Sequence, residues 1–467
     1  MLRSIKNPEE KGTSKVKRNH TRPALSVTAD GKGIAAHAGT RLLAEMADFT
    51  GLTGALSEAL APTVRRSRRH DPGRVLLDMA LTLADGGDCL SDLAVLRDQP
   101  SLFGPVASNP TASRVIDSVD AERLGAIRAA RAQARARAWA AGLCPVRKSG
   151  PLIMDFDATL VDAHSEKNGA GPTYKGGYGF SPLACFLDAT NEALAVLLRP
   201  GNRAPGNADD HIEVLEQALA QMPVKPKGAD PDHGVAMLAR ADSAGASHKF
   251  VDALVERGIE FSIGMEMRKP LRLAILALPQ TAWTEAITAA CEIREGAEVA
   301  ELVGLDLSHW PVGTRAIVRR EEPHDGAQFS LFDPDGWRHQ VFITNSSDAD
   351  ITYLEARHRG HARIEDRIRC AKDTGLRNLP FADFANNACW VELICLAQDL
   401  FAFTQGLVLD GDMACAEPKR LRYALLHTAG RITTTSRRTT LRLQHEWPWA
   451  QALADAFSNL RSLPLTT

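Results

Sequence analysis

No stretch of 18 or more consecutive apolar residues occurs in the 467-residue chain, so no segment reads from the sequence as a membrane-spanning helix. The opening residues, MLRSIKNPEEKGTSKVKRNH, lack the apolar core of a secretion signal, and the expected setting is the cytoplasm. None of the eight cysteines stands in a CxxC pair, which leaves neither a zinc site nor a disulfide framework signalled; they read as reduced thiols. Internal repeats and low-complexity tracts are missing as well. Net charge is nearly absent, with 55 Lys and Arg against 57 Asp and Glu. What the chain does have is apolar side chain, 44% of its residues, enough for a buried core and, by length, for about two or three domains.

The small net charge conceals an uneven distribution. Residues 1–150 hold 23 basic and 15 acidic side chains, residues 408–467 hold 8 and 5, and the middle holds 24 and 37. Basic flanks of +8 and +3 therefore surround a centre of −13. Basic segments can neutralise phosphates and release their counterions. An acidic centre meets a polyanion only through divalent cations, which take carboxylate oxygens. Charge alone leaves open the alternative that surface charge simply varies from region to region.

Residues 1–24 carry seven Lys or Arg and few large apolar side chains, which predicts a flexible basic arm. Residues 25–148 read as a helical region. Apolar side chains recur at three and four through Leu42, Leu43 and Met46 and again through Val75, Leu76, Met79 and Leu83, and Gly86 and Gly87 stop the second run. Residues 120–141 predict an Ala-rich helix with a basic face made by Arg123, Arg128, Arg131, Arg135 and Arg137. With Arg65, Arg66, Arg68 and Arg69 this makes 25–148 a candidate DNA-binding region; a solvated face beside a basic loop is the alternative.

Near residue 148 the pattern changes to alternating strands and helices. Strands are predicted at 152–161, 182–188 and 193–200, a helix at 209–222, a strand at 235–242, a helix at 246–257 and a strand at 259–265. Three strands, helix, strand, helix, strand is the order of a ribonuclease H-like α/β core, here with an aspartate in the first strand and another closing the fourth. Residues of about 270–350 interrupt it as a β-rich insertion, with strand-like pieces at 315–319, 327–331 and 339–344 and turn sequences at 324–326 and 333–336. Helices at 353–369 and 381–405 complete a catalytic domain spanning 149–407. Residues 408–467 are expected to form a helical, basic C-terminal region.

Three carboxylates far apart in sequence carry the chemistry. Asp157 stands in the first strand, with Asp155 two residues earlier on the same face; Asp242 ends the fourth strand; Glu365 follows the insertion on a helix. Such a set can hold two divalent ions about 3.5–4 Å apart, one activating a water or 3′-hydroxyl and the other stabilising the leaving oxygen of a phosphodiester.

The segment HRGHARIEDRIRCAK, with His358, His361, Glu365 and Lys372, resembles the Tyr-x2-Arg-x3-Glu-x6-Lys signature of the DDE transposases of bacterial insertion sequences. DFDAT at 155–159, GYGFSPLACFLD at 177–188 and RADSAGASHKF at 240–250 are similar to further motifs of that family, as are GGDCLSDLAVLRDQPSLFG at 86–104 and RITTTSRRTTLRL at 431–443. The resemblance covers roughly residues 30–460. It implies a metal-dependent DNA transposase that binds the terminal inverted repeats of its own element, cleaves the ends and joins 3′-hydroxyls to target DNA. It also implies a catalytic and metal-binding triad of Asp157, Asp242 and Glu365, two Mg²⁺ or Mn²⁺ ions, double-stranded DNA as partner, a homodimer in the synaptic complex, no membrane, and a cytoplasmic location on the nucleoid when bound. Asp155 is the rival for the first position; the family pattern, an acid two residues before Thr159, favours Asp157.

Glu365 and Lys372 fit the signature, whereas histidines replace its Tyr and Arg. His358, His361, Lys372 and Arg363 are the expected DNA-phosphate contacts, His358 and His361 lying seven and four residues before Glu365 on one helical face. A histidine is fully charged only below about pH 6.5 unless its pKa is raised, so the phosphate grip is either weaker than an arginine's or taken over by Arg357, Arg359 or Arg363. Trp310 and Trp337 in the insertion are either a stacking surface for a flipped base or the core of a small β-domain. Two other functions compete: a catalytically inactive, transposase-derived DNA-binding protein, and another ribonuclease H-like nuclease.

Overall fold

The structure, a computed structural model, describes residues 25–61, 70–146, 150–323, 336–435 and 438–464. The arm at 1–24, the arginines at 65, 66, 68 and 69, the strand piece at 327–331 and most of the two insertion turns lie outside the described residues.

Among the described residues, five helices of eight or more residues precede the main sheet: α1 (Thr40–Phe49), α2 (Leu52–Leu60), α3 (Pro72–Asp85), α4 (Asn109–Ile116) and α5 (Ala121–Ala138). Local signals delimit α3. Pro72 occupies its first turn, the Asp71 side chain accepts from the Arg74 amide, and Gly86 at φ 110° closes the helix.

Then follow β1 (Leu152–Ala158), β2 (Leu183–Leu187), β3 (Ala193–Leu197), α6 (Ala208–Gln221), β4 (Met237–Ala241), α7 (His248–Glu256) and β5 (Glu260–Met265), the succession expected from the sequence. After α8 (Lys269–Leu276) the insertion supplies β6 (Thr284–Ile287), β7 (Ile293–Glu301), β8 (Arg315–Glu321) and β9 (Arg338–Thr344). These are not a separate sheet. β9 pairs antiparallel with β5, giving one nine-stranded mixed sheet in the order β6-β7-β8-β9-β5-β4-β1-β2-β3. β1 is central, parallel to β4 and antiparallel to β2. The insertion also has a small core of its own around Ala286, Val299, Ile317, Phe342 and Leu354.

Helices α9 (Ile351–Arg359) and α10 (Arg363–Ala371) are separated by a 3-10 turn, Gly360–Ala362, where one continuous helix was expected. Space at Gly360 is tight: a Cβ there would lie 2.5 Å from Nη1 of Arg240, which donates to the carbonyl of Arg357. Helix α11 (Phe384–Val408) is long and apolar enough to cross a membrane by length and composition, yet 83% of its most apolar window is buried inside the fold. It is a core helix, packed on α1, α3, α5, β3 and the terminal helix α12 (Ala450–Ser462).

The expected all-helical C-terminal region contains a hairpin, β10 (Gly430–Thr435) and β11 (Arg438–Leu443), to which the short strand Ile34–Ala35 adds a third strand. The run of β-branched threonines explains the strands. A clasp lies at the root of this hairpin: Asp85, at the end of α3, meets Nδ1 of His37 at 2.7 Å, the Thr40 hydroxyl at 2.5 Å and, through its backbone oxygen, Nε2 of His427 at 2.9 Å.

The basic face expected on α5 is divided: Arg137 is exposed and Arg123 and Arg128 are partly exposed, while the other two turn inward. Arg131 and Arg135 are 2% and 0% exposed, and they point into the molecule. Arg131 bonds Glu392 and Asp399 of α11, while Arg135 bonds Asp399 at 2.6 Å and Glu192 at 2.8 Å; Arg128 reaches Glu392 at 2.9 Å. Residues 128, 131 and 135 face 392 and 399 because three, four and seven residues all return a helix to the same side. Trp310 packs on the His248 ring, and Trp337 and Trp283 both lie against the Arg320 guanidinium, so the insertion tryptophans have partners within the protein.

Candidate active site

Alternate residues of a strand share a face, so Asp155 and Asp157 of β1 point the same way, as do Arg240 of β4 and Asp242 just past its end. The strands run parallel with Asp155 beside Arg240 in register, which sets Asp157 and Asp242 side by side at the carboxyl ends. Glu365 sits in the first turn of α10, and α10 packs on β1 and β2.

The two aspartates of β1 have opposite surroundings. Asp155 is fully buried and wholly engaged: its carboxylate takes Nε of Arg240 at 2.7 Å, Nη1 of Arg367 at 2.9 Å and Nδ1 of His361 at 3.1 Å. Asp188, just after β2, joins the same network through Arg363 at 3.0 Å, Arg367 at 2.6 Å and Arg240 at 3.2 Å. Burial would raise both carboxyl pKa values. The hydrogen bonds and charges of His361 and Arg240 nevertheless hold Asp155 below the usual range, and those of Arg363, Arg240 and Arg367 hold Asp188 at about 2.

Asp157 has no such support. Burial raises its pKa, the charges of Asp242 and Glu365 raise it further, and it reaches about 6 despite an opposing contribution from His361. Among the described residues none of Asp157, Asp242 and Glu365 forms an ion pair; Asp242 only accepts the Ala244 amide at 2.9 Å. Three carboxylates within one another's field and lacking cations thus stand beside two that are fully compensated.

A family model described as transposase DDE domain group 1 matches residues 17–465. The chain belongs to that DDE transposase family. Among solved structures it is similar to a piggyBac transposase synaptic complex with hairpin DNA, at 9% identity over 83% of this chain and 77% of that one, with a TM-score of 0.40. No curated protein matches.

For a DDE-family chain the remaining signature positions are placed as follows. Lys372 is half-buried just after α10, where burial lowers its pKa while the charges of Asp162 and Asp157 oppose that, so the ammonium lies in the field of the first acid. Arg363 is half-exposed and held by Asp188. His358 departs from expectation. It belongs to α9, before the turn, and its ring stacks on Phe342 at 4.2 Å while Nδ1 meets the Ser262 hydroxyl at 2.9 Å. Burial there, aided by the charges of His361 and Arg240, pushes its pKa down to about 3, so it is a neutral side chain and not a phosphate-binding cation. His361 is spent on Asp155. Both histidines are thus taken up by partners inside the protein, His358 by Phe342 and Ser262 and His361 by Asp155.

The three free acids suit hard divalent cations, being oxygen donors that form no ion pair among the described residues. Their oxygens do not converge on one point; among the described residues the groups with three ligand atoms all within 4.8 Å are His37, Asp85 and His427, and Asp88, Cys89 and Asp92. Sequence reasoning passed over Arg240, Arg367 and Asp188. A signal was there for the first two, since each stands two residues from a candidate catalytic acid.

Proposed function

We propose that the protein is the DNA transposase of an insertion sequence, built on a ribonuclease H-like core, which binds its element's terminal inverted repeats, cuts the ends and joins the freed 3′-hydroxyls to target DNA. The observation that carries this reading is the group Asp157, Asp242 and Glu365, uncompensated in a chain whose neighbouring buried acids are all paired. These three residues would hold two Mg²⁺ or Mn²⁺ ions, which when bound supply the Lewis-acid charge for activating the attacking oxygen and stabilising the leaving one.

The chain's own residues do the rest. Asp155 positions the site, since it ties Arg240 on the Asp242 strand to His361 and Arg367 on the Glu365 segment. Lys372 and Arg363 offer charge-assisted hydrogen bonds to DNA phosphates beside the acids. In cutting, a water oxygen bonds to phosphorus and gives up a proton to solvent as the bond from phosphorus to the 3′-oxygen breaks, and that oxygen takes a proton from solvent to leave as a hydroxyl. In joining, that hydroxyl attacks a target phosphodiester and loses its proton to solvent, while the target's own 3′-oxygen leaves and is protonated by solvent. Two copies bridging two element ends on the nucleoid complete the proposal. Purified protein incubated with labelled element-end duplex and Mg²⁺ should release a fragment with a free 3′-hydroxyl; uncut DNA over a range of Mg²⁺ and Mn²⁺ concentrations would contradict it.

A further inference from the structure

We propose that the outer face of the β10–β11 hairpin is a DNA-backbone contact surface, separate from the carboxylate group. The inference rests on the transposase reading for the identity of its partner.

Residues directly opposite in an antiparallel pair share a face, and the register here is fixed. Gly430 faces Leu443, Ile432 faces Leu441 and Thr434 faces Thr439 on one side; Arg431 faces Arg442, Thr433 faces Thr440 and Thr435 faces Arg438 on the other. The first side is locked inward, for Ile432, Leu441 and Leu443 pack on the main core and a Cβ at Gly430 would meet Leu441 at 2.8 Å. The second side is outward and basic. Arg431, Arg438 and Arg442 are exposed, and no Asp or Glu occurs between residues 430 and 443. Among the described residues none of these arginines forms an ion pair; Arg442 is steadied only by the Thr433 hydroxyl at 3.3 Å.

Two arginines directly opposite each other, neither in an ion pair among the described residues, are an unfavourable pairing, which a polyanion would relieve. The threonine hydroxyls beside them are further donors to phosphate oxygens. Beyond Arg431, where the pairing with Ile34–Ala35 ends, the hairpin is a two-stranded ribbon of a width that can lie along a DNA groove about 12 Å across. The root of the hairpin is held by the His37, Asp85 and His427 clasp, so the ribbon is presented on a fixed base.

The test uses full-length protein, a fluorescent random-sequence duplex of about 30 base pairs and no divalent metal, with affinity measured across a salt series. Arg431→Gln and Arg442→Gln should each make the slope of log affinity against log salt shallower by about one unit, and the double variant by about two. Arg442→Lys should keep the parent slope, because it keeps the charge. Melting temperatures of the Gln variants should equal or exceed the parent's, since a like-charge pair has gone. A double variant with the parent's slope and affinity overturns the inference and leaves the transposase reading standing. Unchanged DNA binding with altered sedimentation also overturns it, pointing instead to the acidic surface of a second copy. A parent protein that binds no duplex at all overturns both.

Discussion

At the scale of single residues, the contrast between Asp155 and Asp157 is the most informative feature, because the DxDxT motif offers two acids and the environments separate them. Asp155→Ala would strand Arg240 and Arg367 in the interior, and stability measured by chemical denaturation should fall by about 3–5 kcal/mol. Asp157→Asn, assayed with chelator present, should hold or raise the melting temperature, because it removes a charge that Asp242 and Glu365 repel. Stability losses in the reverse order would exchange their roles. Asp85 gives a pH prediction. Burial raises its pKa, but hydrogen bonds from His37, His427 and Thr40 outweigh this and hold it at about 2. A depressed carboxyl pKa contributes stability that is complete above the unfolded value of about 3.9 and is lost as pH falls toward 2. Asp85→Asn should therefore cost on the order of 2–3 kcal/mol at pH 7 and show a flatter decline in stability between pH 4 and 2. Parallel stability curves for the two proteins would remove the clasp's electrostatic role.

At the scale of elements, the first five strands of the sheet were legible because each holds a short apolar run; β1 to β5 overlap the segments expected from the sequence, although β1 stops at Ala158, three residues before its expected end. What could not be read was side-chain partnership at long range. Arg128, Arg131 and Arg135 of α5 look like a DNA-binding stripe until Glu392 and Asp399 are seen, two acids seven residues apart in an otherwise uncharged helix that must find cations when buried. Breaking this network by Arg135→Ala should cost about 3–5 kcal/mol of stability and leave the salt dependence of DNA affinity unchanged, since the charge never faced solvent. A shallower salt slope with normal stability would restore α5 as a DNA contact. The close approach of Arg240 to Gly360, 120 positions later in the chain, was hidden for the same reason. The C-terminal hairpin could have been predicted from its threonines, had β-branching been weighed above basic charge.

At the scale of the whole molecule, a single apolar core links α1, α3 and α5 with β1, α11 and α12, so the N-terminal helices and the catalytic sheet share one interior. Removing residues 1–142 should accordingly give a protein without a cooperative unfolding transition, rather than an intact nuclease that has merely lost its DNA-binding region; a sharp thermal transition in the truncated chain would show that the regions fold independently. Against that shared scaffold, the central claim is that Asp157, Asp242 and Glu365 form the catalytic group while DNA affinity resides on basic surfaces elsewhere. The most direct measurement compares the parent with Asp242→Ala and Glu365→Ala on labelled element-end DNA, reading strand cleavage in Mg²⁺ and duplex affinity without it. The account predicts cleavage reduced at least a thousandfold, equivalent to about 4 kcal/mol or more in the barrier, with affinity within a few-fold of the parent's. Either variant cutting at near the parental rate would contradict it.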